Sequence, residues 1–191
     1  LDDRAASALD LLVADVARFE QLVNDLLEIS RLEAGAAQLD LDAVDPSELV
    51  LHAVGAASVG PVPVHYDEDV AGTRVLVDKR RMVQVVANLL NNAEKYAGGA
   101  TAVRVALVDD KVRIMVEDEG PGVPEEVRQK IFDRFARGVE GGRRTLDRGV
   151  GLGLALVAEH IRLHGGTVWV DEREDGRPGA VFVVELPAVA P

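Results

Sequence analysis

The 191-residue chain has no cysteine, which excludes disulfide frameworks and thiolate metal sites. That absence suits a reducing compartment. No apolar run is long enough to span a bilayer, so no membrane contact by this chain is expected, and no secretory leader is read at its start. Positive charge is scarce. Lys and Arg total 21 against 33 Asp and Glu, a formal charge of -12, so a nucleic-acid partner, which needs a basic surface to displace counterions, is not expected. Aromatic residues make up only 4% of the chain, so the close pair Phe132 and Phe135 stands out. Internal repeats and low-complexity tracts are also missing. Hydrophobic residues reach 48%, which places the chain among globular rather than disordered proteins. The length suffices for one domain with a core, or one domain plus an appendage. The first residue is Leu1, not Met, and the chain reads as a piece cut from a longer protein.

Hydrophobic periodicity divides the chain. Residues 2–34 read as one helix, because Leu9, Leu12, Val16, Phe19, Val23 and Leu26 alternate steps of three and four. Leu22 and Leu27 widen that stripe, and Gly35 is a stop. Such a stripe needs another helix, from this chain or from a second copy, and an intermolecular bundle is the preferred reading. Asp40 to Pro46 reads as a junction. Asp45-Pro46-Ser47-Glu48 combines a cap, a first-position proline and a first-turn acid, and opens a short helix to about Ala57. Strands are expected at 62–66 and 73–77, a helix over 78–96, and strands at 102–108 and 111–117 joined by Asp109-Asp110 without the favoured glycine. One or two short helices should occupy 124–135. The Gly- and Arg-rich stretch 137–148 has no periodicity and reads as a mobile loop. A helix over 152–163 and strands at 167–171 and 180–186 complete the chain. Helices and strands mix without regular alternation. The expected fold class is therefore α+β, a two-layer sandwich with helices on one face of a mixed sheet.

Four clusters follow one another between Asn88 and Leu156. In the first, Asn88, Asn92 and Lys95 are spaced by four and three and share one helix face opposite an apolar one. An amide oxygen suits magnesium, and a lysine one turn on can meet phosphates as a point charge. A plain solvated face fits the same residues. In the second, Asp118 ends a strand and opens Glu119-Gly120-Pro121-Gly122. A carboxylate there can accept from the exocyclic amine of adenine, with glycines letting backbone approach a flat base. An ordinary acidic turn is the alternative. The third runs Ile131-Phe132-Asp133-Arg134-Phe135-Ala136-Arg137, where Phe132 and Phe135 read as core packing or as a loop anchor. In the fourth, Gly149-Val150-Gly151-Leu152-Gly153-Leu154 leads into a helix whose free amides would attract phosphate. Its spacing is neither the Rossmann fingerprint nor a P-loop. Arg134, Arg137, Arg143, Arg144 and Arg148 gather around the intervening loop. His160 and His164, four apart beside Glu159, have a zinc-compatible spacing but no third ligand, so a surface or core pair is the favoured reading.

In this order the four clusters resemble the N, G1, F and G2 boxes of the ATP-binding domain of sensor histidine kinases, over roughly residues 45–187. Upstream, Leu26-Leu27-Glu28-Ile29-Ser30-Arg31-Leu32-Glu33-Ala34-Gly35 resembles the second helix of that family's dimerisation and phosphoacceptor hairpin. The resemblance implies the ATP-binding fold shared by histidine kinases, gyrase, a heat-shock chaperone and MutL, preceded by a coiled-coil-like helix. It divides the chain into 1–40, part of the hairpin, and 45–191, the catalytic domain. It assigns Asn92 to magnesium, Asn88 to supporting the site, Lys95 and Arg137 to the ATP phosphates, Tyr96 to the nucleotide's flank and Asp118 to adenine. Asn88, Lys95 and Arg137 are the catalytic candidates. Gly120, Gly122, Gly149, Val150, Gly151, Leu152, Gly153 and Leu154 complete the nucleotide contacts. The implied cofactors are ATP and Mg2+. The implied partners are a second copy through residues 2–34, the phosphoacceptor helix of the parent kinase and a response regulator. The implied setting is the cytoplasmic portion of an inner-membrane sensor. No His-Glu-Leu-Arg-Thr-Pro run occurs, and His52, His65, His160 and His164 all stand in other contexts, so self-phosphorylation is not expected. The alternatives are an ATP-gated conformational module and a serine-directed kinase of the anti-sigma type. Against the former, no acidic residue lies between Arg81 and Asn92 to activate water.

Overall fold

The computed structural model describes residues 3–35, 38–57, 59–136 and 151–189. Chain contacts separate it into two compact units, Leu1–Ala37 and Gln38–Pro191. The first unit is a single helix, α1 (Asp3–Glu33). It closes through Gly35, whose N–H donates to Leu32 O at 3.1 Å. The heptad residues Leu9, Leu12, Val16, Phe19, Val23 and Leu26 stay 40% to 65% exposed.

The second unit runs β1 (Asp42–Val44), α2 (Pro46–Ala56), β2 (Val64–Tyr66), β3 (Arg74–Val77), α3 (Lys79–Ala97), β4 (Ala100–Val108), β5 (Lys111–Asp118), α4 (Gly153–Leu163), β6 (Thr167–Asp171) and β7 (Val181–Val189). The segment 124–135 holds two 3-10 turns, Glu125–Val127 and Lys130–Phe132. Local chemistry sets most boundaries. The Asp45 carboxylate accepts from Ser47 N at 2.9 Å ahead of Pro46, which starts α2. Asp78 does the same for α3, accepting from Arg80 N and Arg81 N at 3.1 and 3.3 Å.

The sheet order is β1-β3-β7-β5-β4-β2, with β6 also paired to β7. Among the described residues only β2 and β4 run parallel; the other pairs are antiparallel. The long β7 gives one edge to β5 and successive stretches of the other to β6 (Val181 to Glu185) and β3 (Ala188 to Val189). Along β5, Val112, Ile114 and Val116 alternate inward with no exposure, as a sheet with one covered face requires. They meet Met82, Val86 and Leu89 of α3 and Val157 and Ile161 of α4 in one core. Other strand residues carry ion pairs: Arg104 with Glu117, and Lys111 and Arg113 with Glu185, at 2.7 to 2.8 Å. The result is the two-layer sandwich, with helices against a mixed sheet.

One local reading changes, and another gains its physical reason. The junction at Asp40 to Pro46 contains β1, a three-residue strand that exists only through its pairing with β3. The β4–β5 hairpin needs no glycine, because Asp109 and Asp110 both adopt positive φ, 48° and 59°. Short acidic side chains tolerate that region better than most.

Candidate functional site

Helix α3 is the shelf on which the site is built. Its apolar stripe of Met82, Val85, Val86, Leu89, Leu90 and Ala93 is buried. Burial of that stripe turns the opposite face outward. Asn88 and Asn92 are therefore half-buried, while Lys95 and Tyr96 are exposed. Lys95 Nζ lies 5.3 Å from the Tyr96 ring centroid, a cation–π distance.

Two other elements converge on this shelf. The first is the start of α4. Asn88 Nδ2 donates to Gly153 O at 3.4 Å, which leaves the amide oxygen of Asn88 as its remaining acceptor. Among the described residues no side chain caps α4, since Leu152 is buried and makes no cap bond, so the first-turn amides keep their capacity for a ligand. Gly151 holds the approach to α4 in shape with φ +76°, and a Cβ there would meet Ala136 O at 2.5 Å. Phe135 N donates to Gly151 O at 3.1 Å. These contacts hold Phe135 and Ala136 against Gly151. Phe132 packs against the core, matching the packing role expected of at least one of the pair, while Phe135 is exposed.

The second element is the turn after β5. A Cβ on Gly120 would stand 2.8 Å from the Ala97 side chain, so only glycine lets this turn lie against the end of α3. Asp118 is buried at 5% exposure. Its Oδ1 accepts from Gly120 N at 2.9 Å and from Ala180 N at 3.2 Å, and none of the described residues donates to Oδ2. Burial raises its pKa above the ordinary carboxylate value, and the two N–H groups and the Arg173 charge oppose that rise. A buried carboxylate with one oxygen held and one left over can accept from a further donor.

Arg134 is exposed, and its charge reaches Glu159 on α4. Arg137, Gly149 and Val150, with Arg143, Arg144 and Arg148, lie outside the described residues, as does the loop expected there. His160 and His164 are core residues: His164 Nδ1 donates to His160 O at 2.7 Å, and His164 Nε2 accepts from Asp78 N at 3.0 Å. That second bond ties the N-terminus of α3 to the C-terminus of α4.

The convergence of an Asn-bearing helix, an Asp-Gly turn and a glycine-led helix start can be tested against known proteins. Residues 77–190, which hold all three, match the family described as histidine kinase-, DNA gyrase B- and HSP90-like ATPases. The chain belongs to that family. Its curated relatives include the signal transduction histidine-protein kinase AfsQ2 of Streptomyces coelicolor, 35% identical over 97% of this chain and 34% of that protein. The sensor histidine kinase MtrB of Mycobacterium tuberculosis is 36% identical over 99% of this chain and 34% of its own length. This chain thus spans about a third of the relatives it matches. Among solved structures, full-length ShkA in complex with AMPPNP superposes with a TM-score of 0.75 at 28% identity, covering 97% of this chain and 39% of that one. The ATP-binding domain of PrrB from Mycobacterium tuberculosis gives a TM-score of 0.57 at 30% identity, covering 79% of this chain and 99% of that one. The chain is accordingly a histidine-kinase-type ATP-binding catalytic domain preceded by a helix.

Sequence reasoning missed the support around Asp118. Arg173 Nη1 donates to Asp118 O at 3.2 Å from the β6–β7 hairpin. Arg128 reaches the same hairpin, donating to Glu172 at 2.6 Å and to Val123 O at 3.0 Å. Neither arginine sits in a motif, so only the folded chain reveals them.

Proposed function

We propose that this chain moves the γ-phosphoryl group of ATP to a histidine imidazole on a phosphoacceptor helix of the parent sensor kinase, for relay to a response-regulator aspartate. The observation that carries the reading is the meeting of the Asn88 face, the Asp118 turn and the Gly151–Gly153 helix start at one place. The chain supplies position and charge, because phosphoryl transfer asks little covalent chemistry of the protein. Asp118 Oδ2 accepts from the exocyclic amine of adenine, which selects ATP over nucleotides without that amine. The first-turn amides of α4 and the Lys95 ammonium face the phosphates, joined by Arg137. The imidazole nitrogen attacks the γ-phosphorus, the bond to the bridging oxygen breaks, and ADP leaves.

The donor set fits a magnesium ion. Asn92 offers a neutral oxygen on the half-buried face of α3, one turn from Asn88 and Lys95, and a hard cation held with phosphate oxygens needs few protein ligands. Magnesium, when bound, neutralises phosphate charge. Asn92 would hold it, and Asn88 would support the site from its place against Gly153. The remaining nucleotide contacts fall to Tyr96, Gly120, Gly122, Gly149, Val150, Gly151, Leu152, Gly153 and Leu154.

The exposed seam of α1 supports pairing with a second copy through residues 2–34. Among the described residues no helix is long and apolar enough to cross a membrane. We place the chain on the cytoplasmic side of an inner-membrane sensor. An ATP-gated module is less well supported, since α3 carries no acidic residue from Met82 to Asn92 to activate water, and the run from Leu26 to Arg31 favours a histidine kinase over a serine-directed one.

The test is transfer. The chain is incubated with labelled ATP and magnesium, then offered a hairpin carrying the phosphoacceptor histidine. Acid-labile label should appear on the hairpin and not on the chain alone. Label that stays on this chain, or none on the hairpin despite measurable ATP binding, would overturn the assignment.

A further inference from the structure

We propose that Arg173, in the β6–β7 hairpin and outside every motif cluster, is a positioning residue for adenine recognition: it holds the backbone of Asp118 and thereby sets where the carboxylate stands. The proposal rests on the assignment of Asp118 to the adenine amine. Asp118 lies one residue past the end of the β5–β7 register, whose last pair is Glu117 with Val181. Its N–H donates to Ala180 O at 2.9 Å, and its carbonyl accepts from Arg173 Nη1 at 3.2 Å. Arg173 thus supplies a donor at the point where the ladder gives out.

Three further features make this a built contact. The arginine is only 9% exposed, rare for that side chain. Its guanidinium is held from the far side by Asp175, which accepts from Nε at 3.1 Å and from Nη2 at 2.8 Å, a fork-to-fork pair that fixes its plane. Its stem occupies the space a side chain on residue 179 would need. A Cβ on Gly179, at φ +142°, would run into both Asp118 O and Arg173 Cδ. Glycine at 179 therefore lets the arginine and the Asp118 backbone approach each other.

The charges around the turn give the proposal its signature. Glu117 and Glu119 flank Asp118, and Asp175 faces it from the hairpin through Arg173. Arg177 is paired with Asp175 at 2.7 Å and with Glu119 at 3.8 Å. Burial already pushes the Asp118 carboxyl up, and Arg173 is the cation that opposes it. Loss of Arg173 should loosen the turn and also leave Asp118 easier to protonate.

Calorimetry with ATP and with ITP, which lacks the amine, tests this across a pH series. R173Q should weaken ATP binding roughly three- to tenfold, as expected for one lost hydrogen bond, with ITP much less affected. The acid limb of the ATP curve should move to higher pH in R173Q and return towards the parent position in R173K, which keeps the charge. In a D118N background R173Q should add little. Parent-like affinity and pH profile in R173Q would overturn the proposal, and so would an equal loss in the D118N background. Thermal melts accompany each variant. If R173Q does not fold, D175N, which leaves the arginine but removes its anchor, must shift the ATP-to-ITP ratio in the same direction, and an unchanged ratio would overturn the proposal. A parent chain without ATP affinity would remove the nucleotide reading itself, a result distinct from a parent that binds ATP and ignores Arg173.

Discussion

Helices α1 and α3 carry the same kind of signal and end in opposite environments. Both place leucine and valine at steps of three and four. In α3, Met82, Val85, Val86 and Leu89 have no exposure at all, and Leu90 and Ala93 have 1%. In α1, Leu12 and Phe19 keep 62% and 65% of theirs. Periodicity says which face of a helix is apolar and leaves open what covers it. For α3 the cover is the sheet of its own unit together with α2 and α4, and the polar face left over carries Asn88 and Asn92. Along α1 the seam residues from Leu9 to Leu26 are exposed, and the proposed cover is a second copy. One helix therefore carries the proposed site, while the other carries the proposed interface.

The sharpest way to break this comparison is to make the α1 seam polar. V16D with F19D should abolish self-association and leave ATP affinity unchanged. Burying each such side chain contributes about 1.5–3 kcal/mol, and a dimer would lose both residues from both copies. Sedimentation at several concentrations reads the outcome. A parent chain that stays monomeric at high concentration would remove the intermolecular reading of α1.

The complementary change is in α3. Leu89→Ala should destabilise the second unit by about 2–5 kcal/mol, because it leaves a cavity between helix and sheet. Leu12→Ala in α1, at an exposed position, should barely move the same thermal transition. Equal effects would mean that the two helices are not differently covered.

A smaller effect is expected at the site. Asp118→Asn replaces an acceptor with a group that presents a donor to the adenine amine. A hydrogen bond to a charged group contributes about 1.5–3 kcal/mol, so ATP affinity should fall roughly ten- to a hundredfold while the melting transition persists. Unchanged affinity by calorimetry would return Asp118 to the role of a turn residue.

The smallest effects are those of pH, and two buried carboxylates should respond with opposite sign. Burial raises the pKa of Asp118 above the ordinary 3.8, so its contribution to stability is present below that value and is lost as pH rises through the folded-state pKa. At Asp78, burial also pushes upward, but N–H groups of Arg81 and Asp40 and the charges of Arg81 and Arg80 hold the pKa below 3.8. Its contribution is present above 3.8 and is lost as pH falls through the lowered pKa. Urea titrations of D118N and D78N against the parent should show the parent's relative advantage over D78N shrinking on acidification. The comparison with D118N should move the other way. Parallel curves would overturn the assignment of opposite shifts.

Much of the secondary structure could be read from single stretches of chain, and the reason is local. Asp45-Pro46 and Asp78 cap helices by bonding to amides two and three residues away. The inward alternation of β5 and the stripe of α3 follow from repeat lengths of two and of three to four. The placement of Asn88, Asn92 and Lys95 on one face follows from the same arithmetic. The order of the four clusters also pointed to the nucleotide-binding family through residue identity alone. What only the tertiary structure decided depends on groups far apart in sequence. Strand β1 is a strand because β3 lies beside it. The N-terminus of α3 is fastened by His164, 86 residues from Asp78. Arg173 reaches the Asp118 carbonyl across 55 residues. Such pairings arise because a polar group removed from water must find a partner, and which partner is within reach is set by how the sheet and helices pack.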